Sequence, residues 1–210
     1  MKKIFVFFVI SLFWANLVEV YAQRYAQDYW HKNGKVKLED GSVYEGDLKF
    51  DLENEIVQLQ VDGVLKTFTS RKIQAFEFFD TFEQKDRYYY ALPYAKVSNY
   101  KTATFFELLL QDTPVSLLCR ESLTTQTYTS NSPYYVYQGP PITRTVIKNE
   151  YYFLYKNGNI ALYDGTKKGL LYLLRDREKA LKDYLRDNRV NFENKNHLMD
   201  LINFYNLQSK

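Results

Sequence analysis

The sequence predicts a mainly β, α+β protein: a small antiparallel, barrel-like sheet first, antiparallel hairpins in the middle and a pair of helices at the C-terminal end. Three observations carry that reading. Apolar residues alternate with polar ones at period two through most of the chain between residues 35 and 163. Asp-Gly or Asn-Gly pairs punctuate those runs at 40–41, 62–63 and 157–158, where glycine accepts the positive φ of a tight hairpin turn. From Lys168 onward the spacing changes to three and four residues.

The chain opens with Met1-Lys2-Lys3 and an apolar run over 4–14, too short to span a bilayer comfortably, followed by Val20-Tyr21-Ala22 with small residues at the positions that precede a cleavage point. This pattern predicts a secretory leader over 1–22, with Gln23 as the first mature residue. Export is therefore expected, to the periplasm, the outer membrane or the outside. No later apolar run approaches the ~20 residues of a membrane-crossing helix. Removing Lys2, Lys3 and Glu19 with the leader leaves 26 basic against 24 acidic residues, a net charge of +2. That balance gives no reason to expect a nucleic-acid partner. One cysteine, Cys119, cannot form an intramolecular disulfide, so the fold is expected to stand on its apolar core.

Residues 23–33 read as a lead-in that packs Trp30 on the first sheet. In 35–39 Val36 and Leu38 share a face, and in 43–50 Leu48 and Phe50 do, with Gly46 marking a bulge or bend. Residues 51–54 connect to 56–61, where Val57, Leu59 and Val61 point inward. Strands over 65–69 and 73–79, joined by a short corner at Ser70-Arg71-Lys72, complete a unit over 34–82. The rhythm of Val36, Leu38, Asp40, Gly41, Gly46 and Leu48 resembles that of small SH3-like and Sm-like barrels. Such folds host unrelated functions, so the resemblance implies a scaffold and no site residues.

The second β portion spans 83–165. Residues 86–100 read as a connector, because Pro93 cannot donate to a central ladder. Residues 102–110 and 115–121 form an apolar hairpin turned at 111–114. Cys119, flanked by Leu117 and Leu118, reads as a small buried filler. Residues 124–141 lose apolar periodicity and read as a long exposed loop in which Tyr128, Tyr134, Tyr135 and Tyr137 sit among Thr, Ser, Asn and Gln. Tyrosines beside small hydroxyl and amide residues make an adaptable contact surface, so these four are the candidate partner-binding residues. A last hairpin pairs 143–155 with 159–163, with Tyr151, Phe153 and Tyr155 on one face.

Over 166–210, Leu170, Leu171, Leu174, Leu181, Tyr184 and Leu185 recur at helical spacing, and Asp176 is placed to cap a second segment if the run breaks near Arg175. Asn194 caps a final helix with Leu198, Leu201, Ile202 and Tyr205 inward. Between them the alternating charges from Arg175 to Asp187 form a solvated face.

His31 and His197 have no partner at ligand spacing, and the chain carries no phosphate loop, nucleophile elbow, cysteine pair or Ca²⁺ loop. No catalytic residue, cofactor or metal is therefore expected. Tyr29-Trp30-His31, Ser70-Arg71-Lys72-Ile73, Tyr90-Ala91-Leu92-Pro93-Tyr94, Tyr151-Tyr152-Phe153 and Phe204-Tyr205-Asn206 together resemble uncharacterised exported proteins of Bacteroidota-type bacteria. That resemblance implies an envelope location and no activity. The expectation for function is a non-catalytic exported module that binds an envelope protein or a glycan. The alternatives are an envelope hydrolase acting on glycan or peptide, and a structural component of an outer-membrane-associated assembly.

Overall fold

Alternating apolar side chains need a pleated surface with one covered face, and the chain supplies it with ten antiparallel strands in a single sheet. The computed structural model describes residues 29–96, 100–128 and 142–208, without the side chains of Tyr128 and Ile142. The strands are β1 (His31–Leu38), β2 (Val43–Asp51), β3 (Ile56–Val61), β4 (Val64–Thr69), β5 (Ile73–Asp80), β6 (Lys85–Tyr94), β7 (Thr102–Leu110), β8 (Val115–Tyr128), β9 (Ile142–Tyr155) and β10 (Ile160–Leu162). Their order is β10-β9-β8-β7-β6-β5-β1-β2-β3-β4. Helices α1 (Lys167–Leu173), α2 (Glu178–Asp187) and α3 (Lys195–Leu207) follow, with a 3₁₀ turn at Arg175–Arg177 before α2.

The expected barrel-like unit is not closed. β5 pairs with β1 and β6, and β4 stands at the sheet's edge. The sheet nevertheless curls strongly at this end. Ser70 Oγ, in the β4–β5 corner, donates to the Ala103 carbonyl of β7 at 2.8 Å. Two glycines allow the curl. A Cβ on Gly46 would stand 2.1 Å from the Gln60 carbonyl oxygen, and one on its partner Gly34 would stand 2.3 Å from Leu48 Cβ. Gly46 thus marks a close backbone approach. The bulge lies across the ladder in β1, between His31 and Gly34, where Asn33 has φ +55°. His31 itself already belongs to the first strand.

Three further expectations change. The connector over 86–100 is largely the central strand β6; Pro93 is tolerated because pairing with β5 ends at Tyr90, leaving only β7 beside it. Residues 124–128 are strand, not loop: Thr124, Thr125 and Thr127 are β-branched and pair with Val146, Thr145 and Thr143. The helical pair is three helices, and Asp176 does not cap α2. Its carboxylate accepts the Tyr205 hydroxyl at 3.0 Å and so ties the 3₁₀ turn to α3. Asn194 caps α3 as the sequence implies, accepting from the backbone N–H of Asn196 and His197.

Two apolar clusters share one face of the sheet. Val36, Leu48, Val57, Leu59, Ile73, Phe76, Phe78, Tyr89 and Phe105 fill the curl. Phe76 stacks on Tyr89 with centroids 4.6 Å apart. Val115, Leu117, Cys119, Tyr151 and Phe153 lie under Leu170, Leu181, Leu198, Leu201, Ile202 and Tyr205 of the helices. A smaller cluster of Phe106, Leu118 and Tyr152 forms on the other face. Two tyrosines join the sheet to the helical layer, because a tyrosine can bury its ring and still reach a polar partner. Tyr151 donates to the Glu193 carbonyl at 3.1 Å and Tyr155 to the Leu173 carbonyl at 3.0 Å. Among the described residues no helix is long and apolar enough to cross a membrane.

Because the obstacle at Gly46 is backbone, Gly46→Ala is expected to destabilise the fold by about 1–3 kcal/mol. Gly41→Ala, with no atom within 4 Å of the added methyl, is strained only by its φ of +86° and should cost less. Urea-unfolding midpoints of the two variants check the order.

Candidate functional site

Where the two clusters of the shared face meet, the sheet carries charge instead of apolar side chains. Arg87 of β6 is 5% exposed, and its guanidinium grips Glu107 of β7 with both ends, Nε donating to Oε1 at 2.9 Å and Nη2 to Oε2 at 2.7 Å. Nη2 also lies 2.8 Å from Glu121 Oε1 of β8, and Nη1 lies 3.4 Å from Asp80 Oδ2 at the end of β5. Lys195, in the first turn of α3, places Nζ 3.5 Å from both Glu107 Oε2 and Glu121 Oε1. Four adjacent strands and a helix therefore meet at one guanidinium. Burial alone would ease the proton off Arg87, but the Glu107 and Glu121 carboxylates outweigh it and hold the group charged. Burial opposes the charge on Lys195 too, and Glu107 and Glu121 again prevail, raising its pKa.

This arrangement binds itself. The buried carboxylates that come together are engaged by Arg87 and Lys195, and the Asp80 carboxylate also accepts the N–H groups of Phe82 and Glu83. Among the described residues, one open groove runs along the charged side chains of Arg175, Glu178 and Lys182, and another mixes Lys32, Lys35, Glu77 and Asp86 with Phe78 and Phe79. No group of histidine, cysteine and acidic side chains among the described residues could hold a metal ion. Cys119 is fully buried, and burial pushes its thiol up to about 12, far from a nucleophile's range. His31 packs on Phe78 with ring centroids 3.9 Å apart, and His197 accepts the Asn191 N–H at Nδ1.

The second feature begins at the same place. The β7–β8 ladder ends at Glu107 opposite Cys119, whereas the β8–β9 ladder continues for nine further pairs, from Arg120 opposite Glu150 to Tyr128 opposite Ile142. Beyond the branch the two strands form a ribbon about 27 Å long at ~3.4 Å per residue. Thr125, Gln126, Thr127, Thr143, Arg144 and Thr145 are exposed on it. At its root Arg120 is bound by Glu55 of the β2–β3 turn, which also accepts Lys96 Nζ at 2.5 Å. Of the four candidate tyrosines, Tyr128 is the last residue of β8; Tyr134, Tyr135 and Tyr137 lie outside the described residues. Sequence reasoning missed Arg87, Glu107, Glu121 and Lys195. The local signals were Arg87 and Glu107, charges on the inward side of otherwise apolar strands.

No protein-family model, no curated protein and no solved structure matches the chain. Fold and geometry define its class, an open antiparallel sheet capped by helices with a projecting two-stranded arm.

Arg87→Met leaves carboxylates buried without their cation and is expected to cost about 3–5 kcal/mol, read from urea unfolding. Stability should also fall as pH rises above about 8.5, where an unfolded thiol ionises. Native Cys119 holds its proton to about 12 and Lys195 beyond its ordinary range. The folded state therefore binds more protons in that window, and raising pH favours unfolding. Thermal midpoints between pH 7 and 10.5 check the sign.

Proposed function

We propose that the chain is an exported, non-catalytic envelope protein that binds a protein or glycan partner, and that the β8–β9 arm makes the contact. The observation that carries this reading is the length of the arm. An isolated two-stranded ribbon is marginally stable in water, and among the described residues this one extends nine pairs past its last neighbouring strand, with Thr125, Gln126, Thr127, Thr143, Arg144 and Thr145 exposed on its outer half. A folded body invests in such an element when the element reaches something. Its tip leads into the tyrosine-rich stretch, whose residue types suit adaptable contacts. The leader pattern over 1–22 supports export, with Gln23 as the mature N-terminus. The N-terminal strands, read from the sequence as a small SH3-like unit, would serve here as the platform.

The test is a trimmed variant in which Ser122 and Lys148 are joined by an Asn-Gly turn. Mature protein and variant are titrated against peptidoglycan sacculi and against detergent-solubilised envelope proteins from the producing cell. The trimmed chain should keep its thermal midpoint within a few degrees and lose at least tenfold in affinity for the material that the mature chain binds. Equal binding by both would remove the arm's role. Recovery of the chain from the cytosol with residues 1–22 intact would remove the envelope setting.

A further inference from the structure

The helical cap has two sides. Leu170, Leu174 and Leu181 are fully buried against the sheet. On the exposed side Lys168, Tyr172 and Arg175 follow one another at helical spacing, with Lys167 and Leu171 one residue behind. Glu178 and Lys182 of α2 complete the lining of an open hollow of about 620 Å³ over the two helices.

Charge in this hollow is unbalanced. Glu178 is its one carboxylate, and Lys182 Nζ binds it at 2.6 Å. Lys167, Lys168 and Arg175 are exposed and make no ion pair with any described residue. Three cations are thus left over. The adjoining groove differs, because Asp176 and Asp183 stand there among Arg177 and Lys179. The positive strip is one hollow wide.

A ring stands among the cations. Tyr172 is 69% exposed, and the Arg175 guanidinium lies 5.8 Å from its centroid. A flat apolar surface therefore sits beside positive charge, with a forked donor suited to a carboxylate.

Shape and charge together select the occupant. A polypeptide docks as an added strand on a free sheet edge or as a helix in an apolar groove; this hollow is walled by helices, and Leu171 and Tyr172 are its only apolar or aromatic side chains. A bilayer surface takes a broad basic face with several inserted apolar side chains, and this strip is bordered by Asp176 and Asp183. A nucleic acid calls for a strongly basic domain, whereas 26 basic against 24 acidic residues remain once the leader is removed. An acidic polysaccharide meets the geometry: its sugar rings present flat C–H faces to an aromatic ring, and its carboxylates come at regular intervals along a narrow chain.

We propose that the hollow over α1 and α2 binds an acidic polysaccharide, with a sugar ring on Tyr172 and sugar carboxylates on Lys167, Lys168 and Arg175. This rests on the envelope setting of the proposed function and adds a second surface, separate from the arm, with the class of its ligand.

The experiment titrates the mature chain with fluorescently labelled octagalacturonate, which carries one carboxylate per ring, and reads anisotropy. Neutral maltooctaose, octaglutamate, an eight-residue oligothymidylate and phosphatidylglycerol vesicles are run beside it. Octagalacturonate should bind tightest of the five, and more weakly as salt rises from 50 to 300 mM. Tyr172→Ala, and Lys167→Glu with Lys168→Glu, should each lose at least tenfold in affinity, while Tyr172→Phe and a distant control, Lys37→Glu, should not. All of these side chains are exposed, so thermal midpoints should stay within a few degrees of the parent. No binding of octagalacturonate, equal or tighter binding of any other probe, or indifference to either Tyr172→Ala or the paired lysine change would overturn the assignment. The chain trimmed of its arm should keep its octagalacturonate affinity; loss on trimming would move the glycan to the arm and strike this site alone. Failure of octagalacturonate while trimming still abolishes envelope binding likewise strikes this site and leaves the arm its role.

Discussion

The contact between Arg87 and its carboxylates is the constraint on which the rest of the structure depends. Among the described residues, the curled N-terminal strands, the central hairpin, the root of the arm and the helical cap all touch there. An isolated ion pair at a surface contributes little, but a guanidinium 5% exposed, with its forked donors matched to Glu107 and shared with Glu121, has no water to fall back on. Replacing the whole set with apolar residues could leave stability unchanged. Removing one member cannot, because the others stay buried without a counter-charge. Such a cluster fixes alignment more than it adds free energy, since only one sliding position of β6, β7 and β8 brings the three side chains together.

Edge management follows the same economy. β4 closes one side of the sheet with Lys66 as its guard, and β10 covers only Tyr152, Phe153 and Leu154 on the other. At the base of β8, Asn206 replaces a strand by offering one donor and one acceptor to Val115 from a helix. The helices are therefore more than a lid over apolar side chains. They also finish the hydrogen bonding of a strand whose neighbour has not yet come alongside it.

Strands such as β3 were legible because alternation of the kind seen at Val57, Leu59 and Val61, with one face buried, has a single cause. The Asn194 cap was legible too, since its chemistry lies within three residues. Legibility failed where the determining partner is distant. Pro93 argues against a central strand unless one knows that β5 stops at Tyr90. Asp176 is a good cap by position, yet Tyr205, on another helix, takes it. Residues 124–127 lack apolar alternation because Thr125, Gln126 and Thr127 are exposed there, so the signal that marks a half-buried strand has no reason to appear. The charge cluster is the extreme case: Arg87, Glu107, Glu121 and Lys195 come from four elements, and only Arg87 and Glu107 carry a local signal, as charges on the inward side of otherwise apolar strands. The tyrosine-rich candidate site was legible as composition only, and Tyr128 alone of its four members falls among the described residues.

Arg120 and Glu121 make the link between the cluster and the arm explicit. Successive residues of a strand point to opposite faces, so this adjacent pair sends one charge to each side of β8 at the point where β7 leaves it. Glu121 is held on the inner face by Arg87, with Lys195 3.5 Å away, and Arg120 is held on the outer face by Glu55, which Lys96 also engages. A ribbon held on one face only would be free to hinge about its root; one held on both is not. The clamp is built from charges, which tolerate partial hydration at a branch point that apolar side chains could not seal. The arm is thus held at its root by the folded body on both faces of β8.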